Sequence, residues 1–222
     1  IMARFFIFVL IIFIIFSFAG VISILDKLFG GFRSITFKLR NDLRALQPEL
    51  KSWASDHLIK WNRQEMELLS FSQHRQVKKS LLYKFYRGVF QSIYHEPLVV
   101  YMQKMYSLDE GVLLIRNSEH EFAYLIVRKE VELFIDEEYF GKLDQQGKLW
   151  YNQKNVIAYI DRSESMLLPV HVNNKLAGTL LNESKKESRN PRTFQYLSDM
   201  DTVEEKVFLA LAFFELIRRS SK

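Results

Sequence analysis

Five histidines, His57, His74, His95, His120 and His171, are the first place to look for metal or acid–base chemistry. None stands four residues from another, so no helical pair of imidazoles can share a metal, and no HExxH-type motif occurs. The chain has only eight Gly and contains no G-x-S-x-G elbow, P-loop or G-x-G-x-x-G turn. It has no Cys, which excludes a disulfide scaffold, a cysteine zinc site, a thiol nucleophile and an S-palmitoyl anchor. The acidic trio Asp136-Glu137-Glu138 could grip a cation, but it lacks the spaced oxygens and central Gly of a calcium loop and reads as a solvated turn. His171, among apolar neighbours on a predicted strand, is expected to be packed or hydrogen-bonded. The expectation is a protein that is not an enzyme, with no catalytic residue, metal or cofactor.

The basic residues are the other source of chemistry. Arg75, Lys78, Lys79, Lys84 and Arg87 are interleaved with Leu81, Tyr83, Phe85 and Tyr86. A second set, Lys185, Lys186, Arg189 and Arg192, lies in a polar stretch before Phe194 that is long for a hairpin connection. Both sets are candidates for binding anionic lipid or an acidic partner. A solvated face for the first and a flexible solubilising loop for the second are the plain alternatives. Basic and aromatic residues together also suit nucleic acid, but no glycine-rich turn, RNA-binding signature or helix-turn-helix pattern accompanies them, so none is expected.

The element that would position these cations is at the start. Phe5 to Leu25 is a run of 21 residues without charge. As a helix it is about 32 Å long, enough for a bilayer core of about 30 Å. The competing reading is a cleaved signal peptide, since Ser17-Phe18-Ala19 resembles a cleavage site. The run, however, continues past Ala19 through Val21, Ile22, Ile24 and Leu25. An uncleaved single-pass anchor over residues 1–26 is therefore expected. Arg4 precedes the run, while Lys27, Arg33, Lys38, Arg40 and Arg44 come after it. The positive-inside rule places the rest of the chain on the cytoplasmic or matrix-like side. The sequon Asn182-Glu183-Ser184 reads as a chance tripeptide.

Residues 27–79 form the expected basic helical neck. Leu28, Phe32, Ile35, Leu39, Leu43, Leu46, Leu50 and Trp53 recur at helical spacing. Pro48 suits the first turn of a helix, so one helix is predicted to about Leu46 and another from Pro48 to about Leu69. Three readings of the apolar stripe stand open. They are a coiled coil that makes a dimer, a helix lying on the membrane, and packing on its own domain or on a membrane-protein neighbour.

Residues 80–222 read differently. Ten short strands are predicted between Leu98 and Leu197, with turn residues such as Asn117-Ser118, Asp144 to Gly147 and Asn173-Asn174 between them. Leu133-Phe134-Ile135-Asp136 followed by Phe140-Gly141 is echoed 37 residues later by Val170-His171-Val172-Asn173 followed by Ala177-Gly178. Thr202 and Glu205 form a capping box that starts a last helix. From Val207 to Ile217 ten of eleven residues are apolar, Glu215 being the exception. At about 16 Å this stretch is too short to span a membrane, and a helix apolar on every face must be surrounded by protein. Many strands and one such helix bury each other if the sheet curls around the helix.

Short antiparallel strands, recurring hairpins with Gly141 and Gly178, and the hydrophobic helix Val207–Ile217 resemble the tubby-like and phospholipid-scramblase-like barrels. The resemblance covers about residues 80 to 219. It implies a closed sheet of about a dozen strands around a central helix, and membrane-associated or phosphoinositide-binding function. It carries over no calcium or phosphoinositide ligand by position, and the scramblases' cysteine cluster and proline-rich leader are missing.

The expected whole is α+β: a transmembrane helix, an amphipathic neck and an antiparallel barrel closed around its C-terminal helix. Its expected role is a membrane-anchored binding or scaffold protein that recognises anionic headgroups or serves as an accessory subunit of a membrane complex. A phospholipid scramblase or lipid-transfer protein is the alternative. Membrane lipids, a membrane-protein partner or a second copy through the neck are the expected partners. The net charge of +5 divides accordingly. Residues 1–95 carry 14 Lys+Arg against 6 Asp+Glu, and residues 96–222 carry 17 against 20.

Overall fold

The computed structural model describes residues 31–128, 130–152, 154–163, 166–181 and 191–220. The expected anchor, Phe5 to Leu25, lies outside the described residues. Among the described residues no helix is long and apolar enough to cross a membrane. Two compact units divide between Asn41 and Asp42, and the second holds the whole of the sheet.

Helix α1 (Gly31–His57) and a short α2 (Arg63–Leu68) precede twelve strands. These are β1 (Leu69–Lys79), β2 (Lys84–Ser92), β3 (Pro97–Met105), β4 (Glu110–Arg116), β5 (Glu121–Val127) and β6 (Glu130–Ile135). Then come β7 (Glu138–Leu143), β8 (Lys148–Tyr151), β9 (Asn155–Ile160), β10 (Leu167–Val172), β11 (Lys175–Leu181) and β12 (Phe194–Leu197), with α3 (Thr202–Ser220) last. The strands keep sequence order in one antiparallel sheet. The sheet is nearly closed. The Phe71 N–H donates to the Pro191 carbonyl at 2.9 Å, the Thr193 N–H donates to the Leu69 carbonyl at 2.7 Å, and Ser70 bridges Arg192.

All ten strands expected between Leu98 and Leu197 are present, and the sheet gains two more at its start. The expected neck is corrected here. α1 runs through Pro48 to His57, and residues 69–79 are a strand, so the barrel begins eleven residues before the predicted boundary at residue 80. A proline inside a helix forfeits one backbone bond at a cost of about 3 kcal/mol. Packing on both sides of it offsets that loss. Leu43, Leu46, Leu50, Trp53, Ala54 and Leu58 lie on the outer face of the sheet against Val100, Met102, Leu114 and Ala123. This part of the stripe therefore packs on its own domain. It also explains why β3, β4 and β5 are buried on both faces and read as continuous apolar runs.

The other face of those strands lines the barrel around α3. Every residue from Val207 to Ile217 is buried. Phe213 meets Trp61 and Phe122 edge-on, Phe214 packs on Tyr124, and Phe208 packs on Phe194. The Tyr124 hydroxyl donates to the Ala210 carbonyl at 2.7 Å, which satisfies the phenol deep in the core. The cap of α3 stands one residue earlier than expected. Asp201 Oδ1 accepts from the Val203 and Glu204 N–H groups, both at 2.8 Å, and Glu204 reaches back to the Asp201 N–H. Glu205, freed from capping, accepts from Trp61 Nε1.

The two echoing hairpins are one structure used twice. Asp136-Glu137 and Asn173-Asn174 both turn with positive φ at each position, 51° and 73°, and 51° and 62°. That is the two-residue turn whose twist matches paired strands. Each hairpin has a bulge in the same place, so Leu133 pairs with Gly141 and Val170 with Gly178. The two glycines serve different neighbours. A Cβ on Gly141 would meet the Trp150 carbonyl oxygen at 2.4 Å, while one on Gly178 would meet the Phe208 ring at 2.8 Å. Gly178 thus lets the sheet touch α3. Gly178→Ala is expected to lower stability by about 1–3 kcal/mol, read as a lower denaturant midpoint.

Glu215 is the one charge on the buried part of α3, and it is 1% exposed. Arg162 Nη2 donates to it at 3.0 Å, Arg218 Nη2 at 2.8 Å and Arg219 Nε at 2.7 Å. Burial pushes its carboxyl up, but the hydrogen bonds and charges of Arg218, Arg219 and Arg162 outweigh this and hold it at about 2. A carboxylate with a depressed folded value stabilises the fold above its ordinary value of 4.5 and loses that contribution as pH falls through the folded one. Acid unfolding should therefore draw on Glu215 between about pH 4.5 and 2, by roughly 3 kcal/mol. Glu215→Gln is expected to cost about 3–5 kcal/mol at neutral pH and to flatten that acid limb, as followed by circular dichroism against pH.

Candidate functional site

The β1–β2 hairpin spans Leu69 to Ser92 and carries five Lys or Arg and no Asp or Glu. Its register pairs Lys79 with Lys84 and Lys78 with Phe85. All three lysines are exposed, and none forms an ion pair with a described residue. Elsewhere in this unit several cations are matched, Lys51 with Glu137, Arg116 with Glu121, Lys142 with Glu130 and Lys206 with Asp136, while Lys148, Lys154 and Lys175 are exposed singly. Beyond the lysines the turn closes with the Ser80 N–H donating to the Tyr83 carbonyl at 2.9 Å. Leu81 and Leu82 form its tip.

A polar brace holds this tip to the next hairpin. Tyr83 meets Tyr106 edge-on at 6.1 Å, and Lys104 Nζ lies 4.8 Å from the Tyr83 ring. Lys104 donates to Asp42 Oδ1 at 2.7 Å, and the Tyr106 hydroxyl donates to the other oxygen of the same carboxylate. Burial lowers the Lys104 ammonium, but Asp42 and Tyr106 together raise it above its usual range. Burial and the bond to Asp42 raise the Tyr106 phenol. The barrel unit thus begins, at Asp42, beside the hairpin tip. The acidic character of Asp42, four residues before the stripe residue Leu46, gave no sign of this in the sequence.

The other expected binding residues are distributed differently. Arg87 sits 3.9 Å over the Trp53 ring and 3.6 Å from Glu49, so it fastens α1 to the sheet. Arg75 lies 4.1 Å over Tyr86, whose side chain is buried in the barrel. Arg192 is exposed and pairs with Ser70, nine residues from Lys79 along β1 or about 30 Å of strand. It therefore stands apart from the tip. Lys185, Lys186 and Arg189 lie outside the described residues. Of the nine expected cations, the structure brings together Lys78, Lys79 and Lys84.

No metal site forms among the described residues. In the acidic trio, Asp136 accepts from the Glu121 N–H and pairs with His120 and Lys206, and Glu137 pairs with Lys51. His171 stacks on Tyr159 with ring centroids 4.7 Å apart, as a packed histidine. A shallow depression of about 250 Å³ beside Glu130, Lys142, Asp144 and Trp150 is lined by groups already paired with one another.

Compared with protein-family models, curated proteins and solved structures, the chain gives no match. The brace itself can be tested. Asp42→Asn should cost about 1–2 kcal/mol in stability and increase amide exchange at Leu81 and Leu82, measured by hydrogen–deuterium exchange.

Proposed function

We propose that this chain is a non-enzymatic, membrane-associated binding or scaffold protein whose barrel recognises anionic lipid headgroups through the β1–β2 hairpin. The observation that carries the reading is the cluster of Lys78, Lys79 and Lys84, exposed together with no acidic neighbour on either strand. Three ammonium groups on a braced turn repel one another and attract a surface of opposite sign. Basic residues close to a bilayer attract anionic lipid by about 1 kcal/mol each. The uncharged run from Phe5 to Leu25 supports the same setting, as a single-pass anchor with the barrel on the cytoplasmic or matrix-like side.

Two alternatives weigh less. A scramblase or lipid-transfer protein needs a path for a lipid, and the barrel axis is filled by the buried residues Val207–Ile217. An accessory subunit joined through the neck would need a face other than the Leu43–Leu58 stripe, which lies on the barrel.

Purification in mild detergent, with mass spectrometry of what accompanies the chain, tests the proposal. Acidic phospholipid should be enriched over zwitterionic lipid, and Lys78→Gln, Lys79→Gln and Lys84→Gln together should reduce that enrichment at least tenfold. Equal enrichment with and without the lysines would overturn it, and a stoichiometric protein partner would favour the subunit reading.

A further inference from the structure

The three most exposed large hydrophobic side chains among the described residues are Leu81 at 99%, Leu108 at 98% and Leu82 at 71%. They occupy neighbouring turns at one end of β1 to β4, since Lys84 pairs with Met105 and Tyr83 packs on Tyr106. Turn tips normally take Gly, Asn, Asp or Ser, because those residues suit the backbone and water. Leucine contributes neither, and no fold-stabilising contact is gained by a side chain almost wholly in solvent.

The tips are also held firmly. The Tyr106 N–H donates to the Glu110 carbonyl at 2.8 Å, Ser107 Oγ donates to Asp109 Oδ1 at 2.8 Å, and the Arg128 N–H donates to the Asp109 carbonyl at 2.7 Å. Leu108 is thus fixed outward by a bonded turn, as Leu81 and Leu82 are by the Ser80–Tyr83 closure. Behind Leu81 and Leu82 stand Lys78, Lys79 and Lys84, a cationic collar on that hairpin, while Leu108 is followed by Asp109 and Glu110. Apolar apex followed by cationic collar is the order that a bilayer interface presents in reverse, with acyl chains beneath anionic headgroups. Lysine stems can lie along apolar surface while the ammonium stays at headgroup level.

We infer that Leu81, Leu82 and Leu108 form a wedge that inserts into the headgroup–acyl boundary of a bilayer containing anionic phospholipid, with Lys78, Lys79 and Lys84 on the headgroups. This rests on the headgroup-binding reading above and adds insertion and orientation to it. The barrel stands on the membrane by the β1–β2 and β3–β4 turns, and the β2–β3 turn around Tyr94 points away. A groove on a protein partner fits less well, because the apolar side chains sit on two projecting tips rather than on one flat face.

The absence of Cys makes the test clean, since one introduced thiol is the only labelling site. The full chain carrying Leu82→Cys is labelled with an environment-sensitive fluorophore and reconstituted in vesicles of phosphatidylcholine with phosphatidylglycerol. Tyr94→Cys serves as the control, and circular dichroism verifies that both variants fold. At position 82 the emission should shift to the blue, and nitroxide-bearing acyl chains should quench it at least threefold more than at 94. About 0.5 M salt, or Lys→Gln at 78, 79 and 84, should abolish the difference. If label 82 is as open to a water-soluble quencher as label 94, insertion is overturned. Lipid enrichment that still depends on the lysines would then leave headgroup binding intact, and its loss as well would remove both. Protection of label 82 from water without quenching by lipid would overturn insertion in favour of a protein contact.

Discussion

Burial of α3 inside the sheet is the constraint on which the rest of the structure depends. From Val207 to Ile217 the helix has no face fit for water, and the twelve strands have inner faces that need a filling. Each fully buried Leu, Ile or Phe contributes about 1.5–3 kcal/mol, and α3 supplies such residues at every turn. The dependence is mutual. Without α3 the sheet would enclose a void, and without the sheet the helix would be an aggregation site. Local features arise from this contact. Gly178 lacks a side chain where Phe208 approaches, and Tyr124 directs its hydroxyl to a helix carbonyl. The chain between Pro191 and Thr193 completes the wall by bonding to Leu69 and Phe71.

An apolar helix in an apolar tube could slide along its axis, since hydrophobic contact has no direction. Charges at both ends remove that freedom. Near the start of α3, Glu205 accepts from the Trp61 indole and Lys206 pairs with Asp136. Near its end, Glu215 meets Arg162 from the β9–β10 connection. A slip by one turn, about 5.4 Å, would strand a carboxylate in the core away from its arginine. Buried ion pairs are weak sources of stability, so their use here is best understood as fixing the axial position of α3.

The sequence was legible where local chemistry and tertiary demand agree. Asn and Asp at Asn173 and Asp136 mark turns because they tolerate positive φ, and the strands between such residues were found. The two hairpins with Gly141 and Gly178 proved to share turn, register and bulge. Legibility failed where tertiary contact overrides a local rule. Pro48 signals a new helix, yet packing of Leu46, Leu50 and Trp53 on the sheet carries α1 through it. β1 and β2 were hidden because cations and aromatics share both of their faces, Lys84 with Tyr86 on the inner one and Arg87 with Phe85 on the outer one, a mixture that also suits a helix. Asp201 displaced Thr202 as the cap because a carboxylate accepts two N–H groups at once. For the candidate site, the sequence supplied five neighbouring cations but not their division. Only the fold turns Arg75 and Arg87 toward Tyr86 and Trp53 and leaves the three lysines exposed at the end of the hairpin.

That division bears on why exposed leucines are tolerated at all. A two-leucine tip at the end of a hairpin would ordinarily promote association with another copy. Lysines next to apolar segments act against this, because bringing two such tips together also brings six ammonium groups together. Like charges near a surface repel at short range and are screened beyond about 10 Å. The collar therefore resists contact between identical tips, while an anionic surface reverses the sign of the same interaction. Asp42, Lys104, Tyr83 and Tyr106 complete the arrangement by holding the turn rigid, so that insertion would not first have to order it. One set of side chains thereby separates two apolar encounters that hydrophobicity alone could not distinguish.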